Sequence, residues 1–265
     1  MPDFNTYKCH ICDLMLQPDI SHQFKSPVWR LEIDSISGII LIEVRDVVNK
    51  KVSFSSIGVD NGTIYFDGLE TEERWLTGIE AAYDGVLLLH NYQSESGPSH
   101  KGIIALDAFT GKVLWNDFNS AFDHLTVHGP VVYDTRLQPK KLFLIDIKTG
   151  KITRKCEPLI DLELTNELAL PTVVSDEFSL SLHLPVPPLE NTIHYLEHNN
   201  LRIVSLHAIT AGALQQHLYI MDGEEIVFED LLNTNIQKLQ PESFLLCKDK
   251  LIYLKNQSQL KVLNL

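Results

Sequence analysis

Two cysteines near the start of this sequence have the spacing of a metal-binding or redox pair. Cys9 and Cys12 form a Cys-x-x-Cys motif, in which two thiolates reach one Zn²⁺ ion or exchange a disulfide. Zinc needs two further ligands, and the chain has no second Cys-x-x-Cys motif. A redox role needs a thioredoxin-like βαβ setting, which an all-β chain lacks. We therefore predict no metal site. If the chain does bind a metal ion, Cys9 and Cys12 are the candidate ligands.

A second motif has the letters of a zinc protease. The segment from His194 to His198 reads His-x-x-Glu-His, the inverted zinc-protease pattern. That motif functions on a helix, but here it lies between a proline-rich loop and Asn199-Asn200, with too few residues for two stable helical turns. In a strand, His194 and His198 share a face but lie about 13 Å apart at ~3.3 Å per residue. This distance is too long for one metal ion, so we do not expect a protease site.

A third group consists of polar residues in apolar surroundings. Charged residues in a buried strand are costly unless they are paired. One interpretation is a structural ion pair of Glu43 or Asp46 with Arg45 or Lys101. The other is that these residues converge near the central channel of the fold predicted below and form a site for a small molecule or peptide. The candidate ligand-binding residues are Glu43, Arg45, His90, Tyr92, His100 and Lys101.

The elements that position these residues are indicated by a repeated turn. Asp107–Gly111 reads Asp-x-x-Thr-Gly, Asp146–Gly150 repeats it about 40 residues later, and Asp34–Gly38 has Ser in place of Thr. The Asp side chain accepts backbone N–H groups two or three residues on, and Gly takes the positive φ that closes the loop. Degenerate copies occur at residues 60–62 and 221–223. Repetition favours a structural turn over a ligand loop.

Alternating apolar residues around these turns predict strands. Ile40, Ile42 and Val44 alternate with their neighbours as in a half-buried strand. Three four-strand meanders are predicted at residues 29–68, 77–115 and 124–155.

The second half of the chain is harder to divide into repeats. Strands are expected near residues 178–184, 192–196, 202–207, 217–221, 226–228, 244–247, 251–254 and 260–263. The prolines at 185, 187 and 188 indicate a loop, because Pro cannot donate to a central ladder. Residues 208–216 are compatible with a helical turn or a loop.

The strands and turns together predict an all-β fold. The repeat length favours a β-propeller of four-stranded antiparallel blades. The interval from Gly150 to Gly223 is close to two repeats, so we expect one decayed copy there and six blades, with five or seven as alternatives. We assign residues 1–28 to an N-terminal arm and residues 29–265 to a single propeller domain.

The charge of the chain argues against two classes of partner. Its 265 residues include 22 basic and 35 acidic side chains, a net charge of −13, with no extended basic run. Binding to nucleic acid or to an anionic membrane surface is therefore not expected. The first residues lack the basic and apolar regions of a signal peptide, and four cysteines suit reduced thiols. We predict a cytoplasmic protein.

The segment from Ala105 to Trp115 carries a resemblance to a known superfamily. Its pattern Ala-x-Asp-x-x-Thr-Gly-Lys-x-x-Trp resembles the tryptophan-docking repeat of propellers in quinone-dependent dehydrogenases and in an outer-membrane assembly lipoprotein. The stretches at 43–46, 52–55, 85–90 and 100–107 resemble an uncharacterised bacterial family, a domain of unknown function in the quinoprotein-like superfamily.

This resemblance implies a fold more than an activity. The dehydrogenases that the segment resembles are about twice as long as this chain. They hold the quinone over a calcium ion, and we do not find the corresponding ligand residues in this sequence. We therefore expect no cofactor. The predicted function is a non-enzymatic binding scaffold for an unknown protein or small molecule. The alternative is an enzyme, a hydrolase or lyase, with its site at the central channel.

Overall fold

The computed structural model describes residues 16–95, 97–165, 167–175, 182–240 and 243–265. Cys9 and Cys12 lie outside these residues. The described part of the chain is β-structure with one short 3-10 turn at Leu189–Asn191. Within it, no helix has the length and apolar character that crossing a membrane requires. The chain divides into two compact units, one formed by Phe24–Glu167 and the other by Met1–Gln23 together with Leu168–Leu265.

The unit Phe24–Glu167 contains three sheets of four antiparallel strands, each connected in chain order. The first strand of the chain, β1 (Ile20–Gln23), belongs to the other unit. The strands of Phe24–Glu167 are β2 (Val28–Asp34), β3 (Ile39–Asp46), β4 (Lys51–Gly58), β5 (Ile64–Leu69), β6 (Thr77–Tyr83), β7 (Val86–Ser94), β8 (Gly97–Asp107), β9 (Val113–Asp117), β10 (Ser120–Thr126), β11 (Gly129–Asp134), β12 (Phe143–Ile145) and β13 (Ile152–Lys155). The three sheets are β2 to β5, β6 to β9 and β10 to β13. They are the three meanders that the sequence predicts.

The second unit contains two five-stranded sheets. Its remaining strands are β14 (Leu168–Ala169), β15 (Thr172–Ser175), β16 (Thr192–His198), β17 (Leu201–Thr210), β18 (Ala213–Asp222), β19 (Glu225–Asn233), β20 (Phe244–Cys247), β21 (Lys250–Lys255) and β22 (Gln259–Asn264). One sheet runs from β15 to β19, and the other has the order β1-β22-β21-β20-β14.

Two segments in this unit differ from the predictions. Ile20–Gln23, assigned to an N-terminal arm, is a strand that pairs with β22, with Ile20 opposite Val262. Residues 208–216 form neither a helical turn nor a loop but the centre of the β17–β18 hairpin. Ala211 and Gly212 close it with φ of 52° and 80°, the two positive values of a type I′ turn. The strand predicted at 178–184 is not observed at 182–184, and residues 178–181 are not described.

The predicted fold class is confirmed: the protein is all-β and built from antiparallel sheets of four or five strands, the blade unit of a β-propeller. Five sheets are present in the described residues, which is the lower of the alternative counts. Among the described residues between Gly150 and Gly223, no sixth sheet is observed where the decayed copy of the repeat is expected. Instead β14 pairs with β20 of the last sheet, and β15 adds a fifth strand to the β15–β19 sheet.

Successive sheets of each unit pack face to face. Leu87 and Leu89 join the core shared with β3 and β4, whereas Val86 and Leu88 join the core shared with β11 and β12. A strand covered on both faces needs apolar residues at consecutive positions. The strand Ile39–Asp46 is likewise buried throughout from Ile39 to Arg45, so the prediction that it is half-buried is wrong.

The repeated turn is structural, as its chemistry predicts. Asp107 Oδ1 accepts the backbone N–H groups of Phe109 and Thr110 at 3.1 and 2.7 Å. Trp115 docks on the corresponding turn of the next sheet, where its Nε1 donates to Ile147 O at 2.7 Å. A Cβ at Gly150 would lie 2.6 Å from the Trp115 ring, so only glycine fits beneath it.

The copies of this turn do not all occupy one place in a sheet. Those at Asp107 and Asp146 connect the third and fourth strands of their sheets, and so does the degenerate copy at residues 60–62. The copy at Asp34 connects β2 to β3. Its Oδ2 accepts Gly85 N at 2.7 Å and so ties the first sheet to the second.

Candidate functional site

Glu43 and Arg45 form a buried ion pair on β3. Arg45 Nε donates to Glu43 Oε1 at 2.6 Å, and both side chains are less than a tenth exposed. The guanidinium also donates to the carbonyl oxygens of Trp75 and Thr77, at 3.1 and 2.6 Å. Glu43 Oε2 accepts the backbone N–H of Ile79 at 2.8 Å. The pair therefore joins the first two sheets, which matches the structural interpretation of these residues.

Aromatic rings surround the Arg45 guanidinium. Its central carbon lies 5.5 Å from the Trp29 ring centroid, 5.0 Å from that of Trp75 and 5.8 Å from that of Tyr92. Each distance is within the range of a cation–π interaction. The Trp29 side chain is 64% exposed, although its ring position is set by a buried charge.

His90 and His100 stack beside this group. Their ring centroids are 3.5 Å apart and their planes differ by 7°. The Tyr92 ring meets both edge to face, at 4.6 Å from His90 and 5.2 Å from His100. His90 is 2% exposed, whereas the His100 side chain is 32% exposed. Three of the predicted site residues therefore form one cluster on β7 and β8.

Glu80 on β6 completes this cluster and is not among the residues predicted from the sequence. Its Oε2 lies 2.9 Å from His100 Nδ1 and 3.1 Å from His90 Nδ1. The register of β6 against β7 shifts between Ile79 and Ala81, so Glu80 is the extra residue of a β-bulge. The available signal was a single acid in the apolar run of a predicted strand, the criterion that selected Glu43.

The protonation of Glu80 is controlled by the two histidines. Burial raises the pKa of its carboxyl, but the nearby imidazoles of His90 and His100 outweigh burial, so the pKa lies below the ordinary value. Glu32, on the neighbouring strand β2, shows the opposite balance. Burial raises its pKa more than Arg30 lowers it, and the charge of Glu80 adds to the increase.

Three ligand atoms of Glu80, His90 and His100 lie within 4.8 Å of one another. One carboxylate oxygen and two imidazole nitrogens are a donor set that binds divalent transition metals. Among the described residues, this is the only group of three or more such side chains with that spacing.

Lys101 is placed apart from this cluster. It pairs with Asn91 in the ladder and is exposed. Successive side chains of a strand point to opposite faces, so Lys101 and His100 lie on different sides of the sheet. Its predicted role in ligand binding gains no geometric support.

The His-x-x-Glu-His segment is the strand β16, which has no helical geometry. The His198 Nε2 atom lies 2.9 Å from Asp249 Oδ1, and the His194 ring lies 6.3 Å from that of His207. Burial lowers the pKa of His194. The two motif histidines thus have different neighbours, as expected for strand residues four apart.

Residues 33–115 match the family described as Domain of unknown function (DUF4905), over about a third of the chain. This confirms, for that segment, the resemblance to an uncharacterised family. The matched segment contains Glu43, Arg45 and the whole Glu80–His90–His100 cluster. No curated protein matches the chain.

Solved structures show distant likeness to the chain. BamB from Moraxella catarrhalis is 10% identical, with 95% of this chain and 100% of that chain covered and a TM-score of 0.34. A europium-containing methanol dehydrogenase is 10% identical, with 95% and 54% covered and a TM-score of 0.30. The WD40 domain of SCAP from fission yeast is 9% identical, with 95% and 55% covered and a TM-score of 0.33.

Proposed function

We propose that this protein is a non-enzymatic binding scaffold. Its ligand, a protein or small molecule, contacts a surface formed by Trp29, Tyr92 and His100, which we name the aromatic face. The observation that carries the proposal is the exposed Trp29 ring held over the buried Arg45 charge. Tryptophan and tyrosine are enriched among the residues that dominate binding energy.

The aromatic face is organised before any ligand arrives. Arg45 is fixed by three hydrogen bonds, and the rings of Trp29 and Tyr92 pack around it. Binding costs about 0.5–1.5 kcal/mol for each flexible side chain that must be immobilised. Rings already held by a buried charge avoid much of that cost.

The test is a comparison of Trp29→Ser with wild type and with Phe118→Ser. Phe118 is a matched control because it is 63% exposed and Trp29 is 64% exposed. Each protein is used to capture partners from native lysate, and native mass spectrometry detects small molecules retained through purification. Thermal unfolding checks that both variants remain folded.

We expect a captured protein or a retained small molecule with wild type and Phe118→Ser. With Trp29→Ser, the amount of captured protein or retained small molecule should fall at least tenfold. The melting temperature of this variant should stay within a few degrees of that of wild type. The same capture and the same retained mass in all three proteins would contradict a binding role for the aromatic face.

A further inference from the structure

The buried imidazole of His90 lacks the partners that a buried polar group normally has. It is 2% exposed, and neither ring nitrogen makes a hydrogen bond of acceptable geometry. His90 Nδ1 is 3.1 Å from Glu80 Oε2, close enough for charge attraction but poorly aligned. Glu80 Oε2 is instead hydrogen-bonded to His100 Nδ1 at 2.9 Å. A buried polar group without a partner costs about 1–3 kcal/mol, so its retention needs an explanation.

A divalent cation between these groups would supply the missing partner. In tetrahedral zinc sites the ligand atoms lie about 2.0–2.2 Å from the metal, and hence about 3.3–3.5 Å from one another. The two Oε2 to Nδ1 distances, 2.9 and 3.1 Å, need only a small expansion to reach that spacing. Two nitrogen donors and one oxygen suit zinc better than calcium or magnesium, which prefer oxygen alone.

The stacked rings determine which side chain must move. An imidazole binds a metal in its own ring plane, and the nearly parallel planes of His90 and His100 are stacked at 3.5 Å. One ion therefore cannot lie in both planes until one ring turns. His90 is enclosed, whereas a third of the His100 side chain is exposed at the aromatic face. His100 is thus the ligand that turns to close the site.

We propose that Glu80, His90 and His100 bind one divalent transition metal ion of the zinc class. Three protein ligands leave a fourth position for water or for a donor atom of the bound ligand. Tyr92, which contacts both imidazoles, borders that position. This last assignment rests on the proposed binding function, whereas the metal site itself does not.

The test is a titration of the purified, chelator-treated protein with Zn²⁺ alone, in which isothermal calorimetry measures the affinity and the stoichiometry. Co²⁺ is the spectroscopic probe, because its visible absorption reports coordination by nitrogen and oxygen. The variants are Glu80→Gln and His100→Ala, which avoid the enclosed His90. The matched control is His124→Ala: the His124 side chain is 29% exposed and its Nδ1 lies 2.6 Å from a single carboxylate, Asp123.

We expect wild type and His124→Ala to bind one Zn²⁺ per chain. Glu80→Gln and His100→Ala should weaken binding by more than about tenfold, the loss that follows even removal of an outer-shell partner. Unchanged tryptophan fluorescence shows that the variants are folded. Absence of stoichiometric binding by wild type, or equal binding by all four proteins, overturns the metal site.

Trp29→Ser separates this proposal from the binding function. It should keep Zn²⁺ affinity while it loses ligand capture. Capture that depends on Trp29 without any Zn²⁺ binding would remove only the metal site. Zn²⁺ binding with capture unaffected by Trp29→Ser would remove only the function of the aromatic face.

Discussion

Replacing Arg45 by methionine should destabilise the unit Phe24–Glu167 by about 3–5 kcal/mol, the usual cost of removing one partner of a buried pair. The change leaves Glu43 charged and buried, with Ile79 N as its remaining donor. It also removes the donors to the Trp75 and Thr77 carbonyl oxygens. Glu43→Gln should cost less, about 1–2 kcal/mol, because an amide oxygen still accepts from Ile79. The Arg45 charge then keeps the two carbonyl oxygens and the three aromatic rings as partners.

Tryptophan fluorescence is the right assay for these variants. All three tryptophans, Trp29, Trp75 and Trp115, lie within Phe24–Glu167, so their emission reports the unfolding of that unit alone. Far-UV circular dichroism reports both units. Guanidinium chloride titrations followed by both signals give the free energy of unfolding by linear extrapolation and show whether the transition has one step or two.

An exposed ion pair on the same sheet is the control. Lys51 lies 3.1 Å from Glu70, with 39% and 46% of the two side chains exposed. Lys51→Met should therefore change the free energy of unfolding by less than about 1 kcal/mol. If Arg45→Met cost no more than Lys51→Met, the claim that Arg45 joins the two sheets through buried charge would be refuted.

Three further changes test other parts of the fold. Gly150→Ala places a Cβ 2.6 Å from the Trp115 ring at φ +68° and should lower the free energy of unfolding by more than about 1 kcal/mol, with a shift in Trp115 emission. Gly78→Ala places a Cβ 3.1 Å from both the Glu43 carboxylate and the His90 ring, and should cost about 1–3 kcal/mol in the same titration. Asp161→Asn tests the pH dependence of stability. Hydrogen bonds from the Arg154 side chain and from a backbone N–H hold the pKa of Asp161 well below its ordinary value of ~3.9. The stabilisation by Asp161 is therefore complete above the ordinary pKa and is lost as the pH falls below it, so the melting temperatures of wild type and variant should converge in acid.

The sheets of the first unit could be predicted because their signals are local. Apolar runs bounded by Asp and Gly turns predict meanders at residues 29–68, 77–115 and 124–155, and the observed sheets span residues 28–69, 77–117 and 120–155. The pairing of β1 with β22 could not be predicted in this way, because it joins residues more than 230 positions apart. Nothing in Ile20–Gln23 itself distinguishes a strand from an extended arm. The same limit applies to β14, two residues whose sheet is determined by β20.

The candidate site was predicted only in part, for a related reason. His90, Tyr92 and His100 stand out as polar residues near a loop in an apolar stretch, and they do form one cluster. Lys101 satisfied the same criterion but lies on the opposite side of β8. Distinguishing Lys101 from His100 requires the register of β7 against β8, which shifts between His90 and Asn91 and again between Tyr92 and Ser94.

A recurring irregularity accounts for the residue that was missed. The first strand of each sheet in Phe24–Glu167 has a bulge, and the extra residues are Trp29, Glu80 and Asp123. A bulge turns its extra side chain away from strict alternation. Each of these three side chains contacts a cationic or titratable partner: Trp29 lies over Arg45, Glu80 meets two histidines, and Asp123 meets His124 and Lys140. In this unit each sheet therefore has one side chain whose direction strict alternation does not predict, and Glu80 is the one that completes the cluster with His90 and His100.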